Sequence, residues 1–320
     1  MPAAALRLAL ALALGALAAP AAAQRAGPAE AALLRVLNAD VSQRATGALA
    51  MLGVTVVPSE TASTLAFDVG ERTEFRASQL GGAFTVSDSV PIYLEGFLGV
   101  SRYDPSFFIS DGADEFRLPA KWTTIGATGG VGWDLPLTDE WVLRPIANVS
   151  LGHVESDASL IGRLLARRFD VELDFLEDGN LTAGGLGGSV MLAFARSRPD
   201  YEADLQLRYT HIHLEPIAGD RAIEASSEAA TLGLWSRLRT PTPFRAFGGP
   251  IRVVSEFAAS WLPGDQGAVL REEVLGQIGF GVELDVANSG LPLVTRSRLV
   301  ARTAFGERLR GFSVGLAVSF

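Results

Sequence analysis

From about Thr61 to its end the chain repeats one unit, roughly ten residues of alternating apolar and polar or small side chains, closed by a Gly, Pro, Asn, Asp or Ser break. Side chains on a strand point alternately to its two faces, so this alternation describes strands with one apolar and one polar face. In the run 201–209, Tyr201, Ala203, Leu205, Leu207 and Tyr209 share one face; Glu202, Asp204, Gln206 and Arg208 share the other. The run 276–285 sets Ile278, Phe280, Val282 and Leu284 against Gln277, Gly279, Gly281, Glu283 and Asp285. The run 251–261 sets Ile251, Val253, Phe257 and Trp261 against Arg252, Glu256 and Ser260. Ionisable groups keep to one face, and the pattern recurs along the whole chain. A strand crossing a bilayer needs about 9–11 residues, apolar toward lipid and polar or small toward the lumen.

Twelve such strands are expected, at about 61–69, 73–86, 91–102, 122–135, 141–154, 183–195, 201–213, 226–239, 250–262, 273–285, 293–304 and 309–320. The fold class is therefore an all-β membrane protein, a 12-stranded antiparallel transmembrane β-barrel. An even strand number returns both ends to the periplasm. Short links at 87–90, 136–140, 197–200 and 287–290 alternate with longer ones at 103–121, 155–182, 214–225 and 263–272. Periplasmic turns are short and extracellular loops long, so the alternation sets the orientation. The link 240–249, with Pro241 and Pro243, is long for the periplasmic side. Trp122, Trp133, Trp141, Tyr201 and Trp261 near strand ends fit aromatic girdles at the two interfaces.

Residues 1–23 have the three parts of a secretory signal: Arg7, an apolar run over 8–19, and Ala21-Ala22-Ala23 before Gln24. Cleavage is expected near Ala23, and no later stretch is apolar for the roughly 20 residues of a spanning helix. Without Arg7 the chain has 26 basic against 36 acidic side chains, a formal charge of −10 that argues against a nucleic-acid partner. With no cysteine, disulfides, thiolate metal sites and a Cys nucleophile are excluded. Residues 24–58 differ in composition. Pro28 suits a helix start, and Leu33, Val36, Leu37 and Val41 have helical spacing, so an amphipathic helix is expected over about 29–50, free in the periplasm or threading the barrel. The domain order is then signal 1–23, helix or plug 24–58, and barrel 59–320.

The last strand sets Phe312, Val314, Leu316, Val318 and Phe320 against Ser313, Gly315, Ala317 and Ser319. This resembles the C-terminal signal by which outer-membrane barrels are recognised for insertion. Together with twelve strands and a helix ahead of the first, it resembles the translocator domain of autotransporters. The strand Ile125-Gly126-Ala127-Thr128-Gly129-Gly130-Val131-Gly132-Trp133 and the following Leu143-Arg144-Pro145 are similar to that family's mid-barrel strands. The resemblance implies an α-helix through the lumen joined to a passenger exported to the surface, outer-membrane lipids and lipopolysaccharide as surroundings, and the barrel assembly machinery as partner during insertion. The chain departs from the family between Gln24 and the helix, where a few residues leave no room for a passenger; a solitary barrel with a structural or pore role is expected.

Barrel width supports a plug. Eight strands fill with side chains and 16–18 leave a water channel. Twelve should leave a lumen suited to a helix about 10–12 Å across. On this reading residues 29–50 occupy the lumen, and Arg208, Arg237, Arg252, Arg296, Arg298 and Arg302 line the wall beside Glu202, Asp204, Glu256 and Glu283.

Catalytic signals are sparse, and neither cofactor, metal nor catalytic residue is expected. Gly311-Phe312-Ser313-Val314-Gly315 has the letters of a nucleophile elbow but sits inside a strand rather than at a strand-to-helix turn. His211 and His213 share a face, as two metal ligands would, without a third that can be named. His153 with Glu155 and Asp157, or His211 with Asp220, would be the acid–base pairs of a barrel enzyme, the alternative reading; a surface adhesin acting through the long loops is the other. The glycines at 126–132 and 184–188 lack the lysine of a phosphate loop and read as sites of close packing. Leu160, Ile161, Leu164 and Leu165 beside Arg163, Arg167 and Arg168 form either a mobile loop or a short amphipathic helix over the barrel mouth.

Overall fold

In a computed structural model, the structure describes residues 46–59, 64–69, 73–110, 115–119, 122–156, 180–218, 225–287 and 295–319. The expected signal at 1–23, residues 24–45, the link 157–179, Asp220 and Phe320 lie outside these. Twelve strands form the wall: β1 (Thr64–Val69), β2 (Thr73–Thr85), β3 (Ile92–Ser110), β4 (Trp122–Trp133), β5 (Trp141–Ser156), β6 (Asn180–Ser197), β7 (Glu202–Ala218), β8 (Ser227–Ala246), β9 (Gly249–Trp261), β10 (Val274–Asp285), β11 (Arg296–Phe305) and β12 (Leu309–Ser319). Each pairs antiparallel with its chain neighbours, and β1 also pairs with β12, with Thr64 opposite Val314 and Val69 opposite Leu309. The sheet therefore closes on itself and leaves no full-length free edge.

Alternation explains the two faces. Leu80, Leu98, Ile125, Val149, Leu186, Phe280, Phe312 and Leu316 point outward and are exposed, among more than thirty large apolar side chains that are. Water would not tolerate so continuous an apolar coat on a soluble protein, whereas lipid requires it. Strand register agrees with the sequence pattern: Leu207 and Tyr209 face out while Arg208 and Thr210 are buried inside.

Several strands outrun their expected limits. β8 and β9 continue through the link at 240–249 and meet in a two-residue turn, Phe247 (φ 53°) and Gly248 (φ 83°). Positive φ at both positions is the geometry that matches strand twist in a tight hairpin. The expected long periplasmic link is thus a protruding hairpin; Pro241 sits where the register shifts between Pro241 and Arg245, a place that tolerates a missing N–H. At the other end β3 runs on to Ser110, and Glu115–Pro119 pairs back onto it. The link after β9 contains a short helix, α2 (Asp265–Leu270).

Residues 46–56 are helical (α1), past the expected limit near Ala50; the rest of the helix expected over about 29–50 lies outside the described residues. Ala48, Leu49, Ala50, Met51, Leu52 and Val56 are almost completely buried, against inward-facing residues of the wall.

Candidate functional site

The lumen is the site. Its floor for α1 is a rung of three glycines in register, Gly99 opposite Gly126 and Gly126 opposite Gly152, continued by Ala183. A Cβ on Gly99 would lie 2.3 Å from the Thr55 carbonyl oxygen, and one on Gly152 would lie 2.3 Å from Leu52 Cδ1. Only a bare backbone lets the helix come so close. The rung above supplies hydroxyls: Thr55 Oγ1 is 2.8 Å from Ser101 Oγ and 2.5 Å from Thr124 Oγ1. The rung below supplies Thr128, whose hydroxyl donates to the Val56 carbonyl at 2.6 Å. Gln79 Nε2 donates to the carbonyls of Thr55 and Val57, at 3.1 and 3.0 Å, which satisfies the free end of the helix.

The long-loop side of the lumen is closed from above as well. Leu270 of α2 packs with Met51, Phe75 and Leu309 in one apolar cluster. Gln266 behaves like a strand residue, accepting from the Ala230 N–H at 3.2 Å and donating to the Ala230 carbonyl at 3.0 Å. Buried Glu272 accepts from the backbone N–H of Glu307 and Arg308 at 2.5 and 2.9 Å, tying this loop to the β11–β12 turn. Trp122 belongs here too. It packs on α1 beside Gly47 and faces the lumen, correcting its assignment to an interfacial girdle, because it shares the inward parity of Thr124.

The short-turn side of the lumen is charged, and the Arg, Glu and Asp side chains read from the sequence as wall residues meet there in pairs and groups. Glu202 accepts from Arg296 at 2.7 Å and pairs with Arg239 at 3.0 Å; Asp204 pairs with Arg237 at 2.8 Å and Arg239 at 2.9 Å. Arg302 Nε and Nη2 both reach Glu256 Oε2, at 2.8 and 2.6 Å. Glu283, only 1% exposed, lies among Arg296, Arg298, Arg239 and Arg252 at 3.5–3.8 Å. Arg208 does not join these groups. It forms a fork with Glu95, at 2.6 and 2.8 Å, supported by Asn148 (2.8 Å to Glu95) and Ser189 (2.9 Å from Arg208). Glu95, Asn148, Ser189 and Arg239 were missed by sequence reasoning. Glu95 shares the inward parity of Tyr93 and Phe97, so its parity was the available signal; apolar neighbours on both sides concealed it.

Of the expected C-terminal signal, Phe312, Val314, Leu316 and Val318 occupy the outer face and are exposed, while Phe320 lies outside the described residues. Ser313 is buried, its hydroxyl unpaired, in mid-strand opposite Arg302, and no nucleophile elbow exists there. The histidines all face outward. His153 Nδ1 is 2.9 Å from Thr182 Oγ1. His211 finds Glu228 as its carboxylate, and a chain of hydrogen bonds results: His211 Nε2 to Glu228 Oε2 (2.7 Å), His213 Nδ1 to Glu228 Oε1 (2.6 Å) and His213 Nε2 to Glu215 Oε1 (2.9 Å). β7 is longer than a bilayer crossing requires, and its outer face is apolar up to Tyr209 and ionisable at His211, His213 and Glu215, so this cluster stands above the membrane-spanning part. The Glu215 and Glu228 hydrogen bonds hold the His213 imidazolium above its ordinary pKa. Burial works to raise Glu228, but its bonds to His213 and His211 outweigh this and leave it below the usual carboxylate range. Among the described residues no group of three or more His, Cys, Asp or Glu is arranged to hold a metal ion.

A closed antiparallel barrel with an apolar coat, a charged interior and a helix inside defines a transmembrane β-barrel of the outer-membrane class. No family model matches the sequence and no curated protein matches it. Among solved structures the chain is similar to the beta domain of the Bordetella autotransporter BrkA (13% identity over 80% of this chain and 96% of that one, TM-score 0.45). It is likewise similar to the translocator domain of the autotransporter NalP from Neisseria meningitidis (12%, 89% and 97%, TM-score 0.40) and the transport unit of the autotransporter AIDA-I from Escherichia coli (12%, 86% and 98%, TM-score 0.42). The likeness extends to the fold and no further, and the barrel itself rests on strand pairing.

Proposed function

We propose that the protein is an autotransporter-like outer-membrane barrel whose pore is kept shut by its own N-terminal helix, with a structural role in the membrane while the plug is seated. The observation that carries this reading is the direction of α1. Its Gly47 end lies beside Trp122 at the long-loop end of β4, and its other end, at Val56, lies beside Thr128 nearer the barrel middle. Long loops mark the extracellular side. On this reading the Gly47 end of α1 is the one turned toward the outside. An epitope inserted between Arg25 and Pro28 should be labelled on intact cells; labelling only after the outer membrane is broken would refute the reading. Planar-bilayer conductance should rise when residues 24–55 are deleted, and equal conductance would reject the plug.

A barrel enzyme is the second reading, favoured by one observation: His211 lies within hydrogen-bond reach of Glu228 on the outer wall. A carboxylate–imidazole pair is what acid–base catalysis on a lipid headgroup would need. Comparing lipopolysaccharide from cells carrying the wild type and His211→Ala by mass spectrometry tests it; identical profiles would remove it.

A further inference from the structure

Alongside α1 the lumen is not filled. A cavity of about 130 Å³ lies between the end of the helix and the inner wall, with Val54, Phe75, Leu270 and Leu275 around its apolar part. Gln277 forms a polar part: it is 8% exposed, and its Oε1 is buried with no hydrogen-bond partner. A smaller cavity of about 50 Å³ shares Ser59, Thr231 and Ser260 with the first and reaches Trp235 and Gln206. There Trp235 Nε1 and Gln206 Oε1 are also buried and unpartnered. Buried polar groups of a folded protein normally find partners, so three orphans around two adjoining cavities indicate something that completes them.

Size and chemistry narrow what that is. Dry cavities of ~150 Å³ in protein cores accept benzene. The larger cavity is of that size, and its lining carries no ionisable side chain among the described residues. Of the amides around it, Gln277 is the one whose oxygen lacks a partner. We propose that the cavity is a binding site for a small neutral amphiphile of the phenol class, the ring lying among Phe75, Leu270 and Leu275 and the hydroxyl donating to Gln277 Oε1. A hydroxyl both donates and accepts, so it satisfies the Gln277 amide in either orientation. An anion would lose its hydration without gaining a cation. The site is independent of the autotransporter-like reading.

The test uses the full mature chain in detergent with phenol and benzene as probes, followed by ligand-observed NMR. Phenol should bind saturably. Gln277→Leu should weaken phenol about three- to tenfold, the worth of one hydrogen bond, while leaving benzene unchanged or tighter. Ser260→Phe, which fills the cavity, should abolish both while an unheated gel still shows the folded barrel. No saturable phenol binding, or a Gln277→Leu variant that treats both probes alike, would overturn the proposal. Should Ser260→Phe fail to assemble, the Gln277→Leu comparison decides by itself.

Discussion

Glu95→Gln is the most informative single substitution. The Glu95 side chain is fully buried and that of Arg208 is 6% exposed, so removing the carboxylate charge leaves a guanidinium inside the lumen with neutral partners only: Ser189, Thr210 and the substituted amide. Removing one member of a buried pair costs about 3–5 kcal/mol, two to four decades in the folding equilibrium. Arg208→Met strands the carboxylate instead and should cost about the same. The double variant Glu95→Gln/Arg208→Met leaves no buried charge and should recover most of the loss, because replacing both members of a buried pair is often near neutral. Guanidinium unfolding of vesicle-embedded protein, followed by tryptophan fluorescence, measures the cycle. The Glu140–Arg196 pair is the internal control. Its partners are 28% and 39% exposed at a periplasmic turn, and Glu140→Gln should leave the unfolding midpoint where it was. If Glu95→Gln costs less than about 1 kcal/mol, water reaches the pair and the buried-pair reasoning fails.

Gly152→Val places a Cβ 2.3 Å from Leu52 Cδ1 and should push α1 off its seat, raising single-channel conductance while the barrel stays heat-modifiable; unchanged conductance in a folded variant would contradict the glycine seat. His213, raised above its ordinary 6.5, stabilises the fold at low pH and loses that contribution as pH rises through its folded value; Glu228, held below 4.5, loses its own as pH falls. The cluster is therefore at full strength between 4.5 and 6.5, and an NMR titration of His213 should move back toward 6.5 in Glu228→Gln. Phe320→Asp should slow assembly into the outer membrane more than it destabilises a refolded barrel; pulse-chase kinetics equal to wild type would make Phe320 an ordinary apolar residue.

The barrel was legible because alternation is a local signal that survives without knowledge of partners. Arg208 could be placed inside from its own strand alone. Its partner could not, since Glu95 is more than a hundred residues away and the pairing depends on closure of the sheet. The same holds for Gly99, Gly126 and Gly152: each reads as a strand glycine, and only registration across three strands turns them into a seat. The link 240–249 misled because prolines and a Gly-Gly pair look like a loop, whereas a register shift lets β8 carry Pro241 and a positive-φ turn uses Phe247 and Gly248. The α2 loop gave no periodic signal at all. Its role depends on Gln266 matching the backbone of Ala230, a contact that no propensity encodes.

The two halves of the lumen call for different physics, and the division explains why a helix can sit in a membrane channel without sealing all of it. Toward the loops, Leu49, Met51 and Leu52 meet Leu181, Ile212 and Leu214 of the wall and Leu270 of α2, so closure there is driven by apolar burial, roughly 1.5–3 kcal/mol for each large side chain. Toward the turns, α1 has ended and the wall satisfies itself through Arg–carboxylate pairs, one between the neighbouring strands β7 and β8 (Asp204–Arg237) and others reaching between strands that are not neighbours (Glu202–Arg296, Glu256–Arg302). Those pairs do not involve the helix. Removing α1 should therefore leave the charged belt intact and strip the partners only from the apolar storey. Two wall substitutions, each made in the full chain and in a chain lacking residues 24–55, separate the storeys. Leu214→Ala, at a side chain fully buried in the cluster that holds Leu49 and Leu52, should cost about 2–5 kcal/mol in the full chain and much less in the shortened one, where water already reaches the site. Glu256→Gln, in the belt, should cost the same in both. If Leu214→Ala is equally costly with and without α1, the helix is not what buries that wall, and the two-storey description would have to be abandoned.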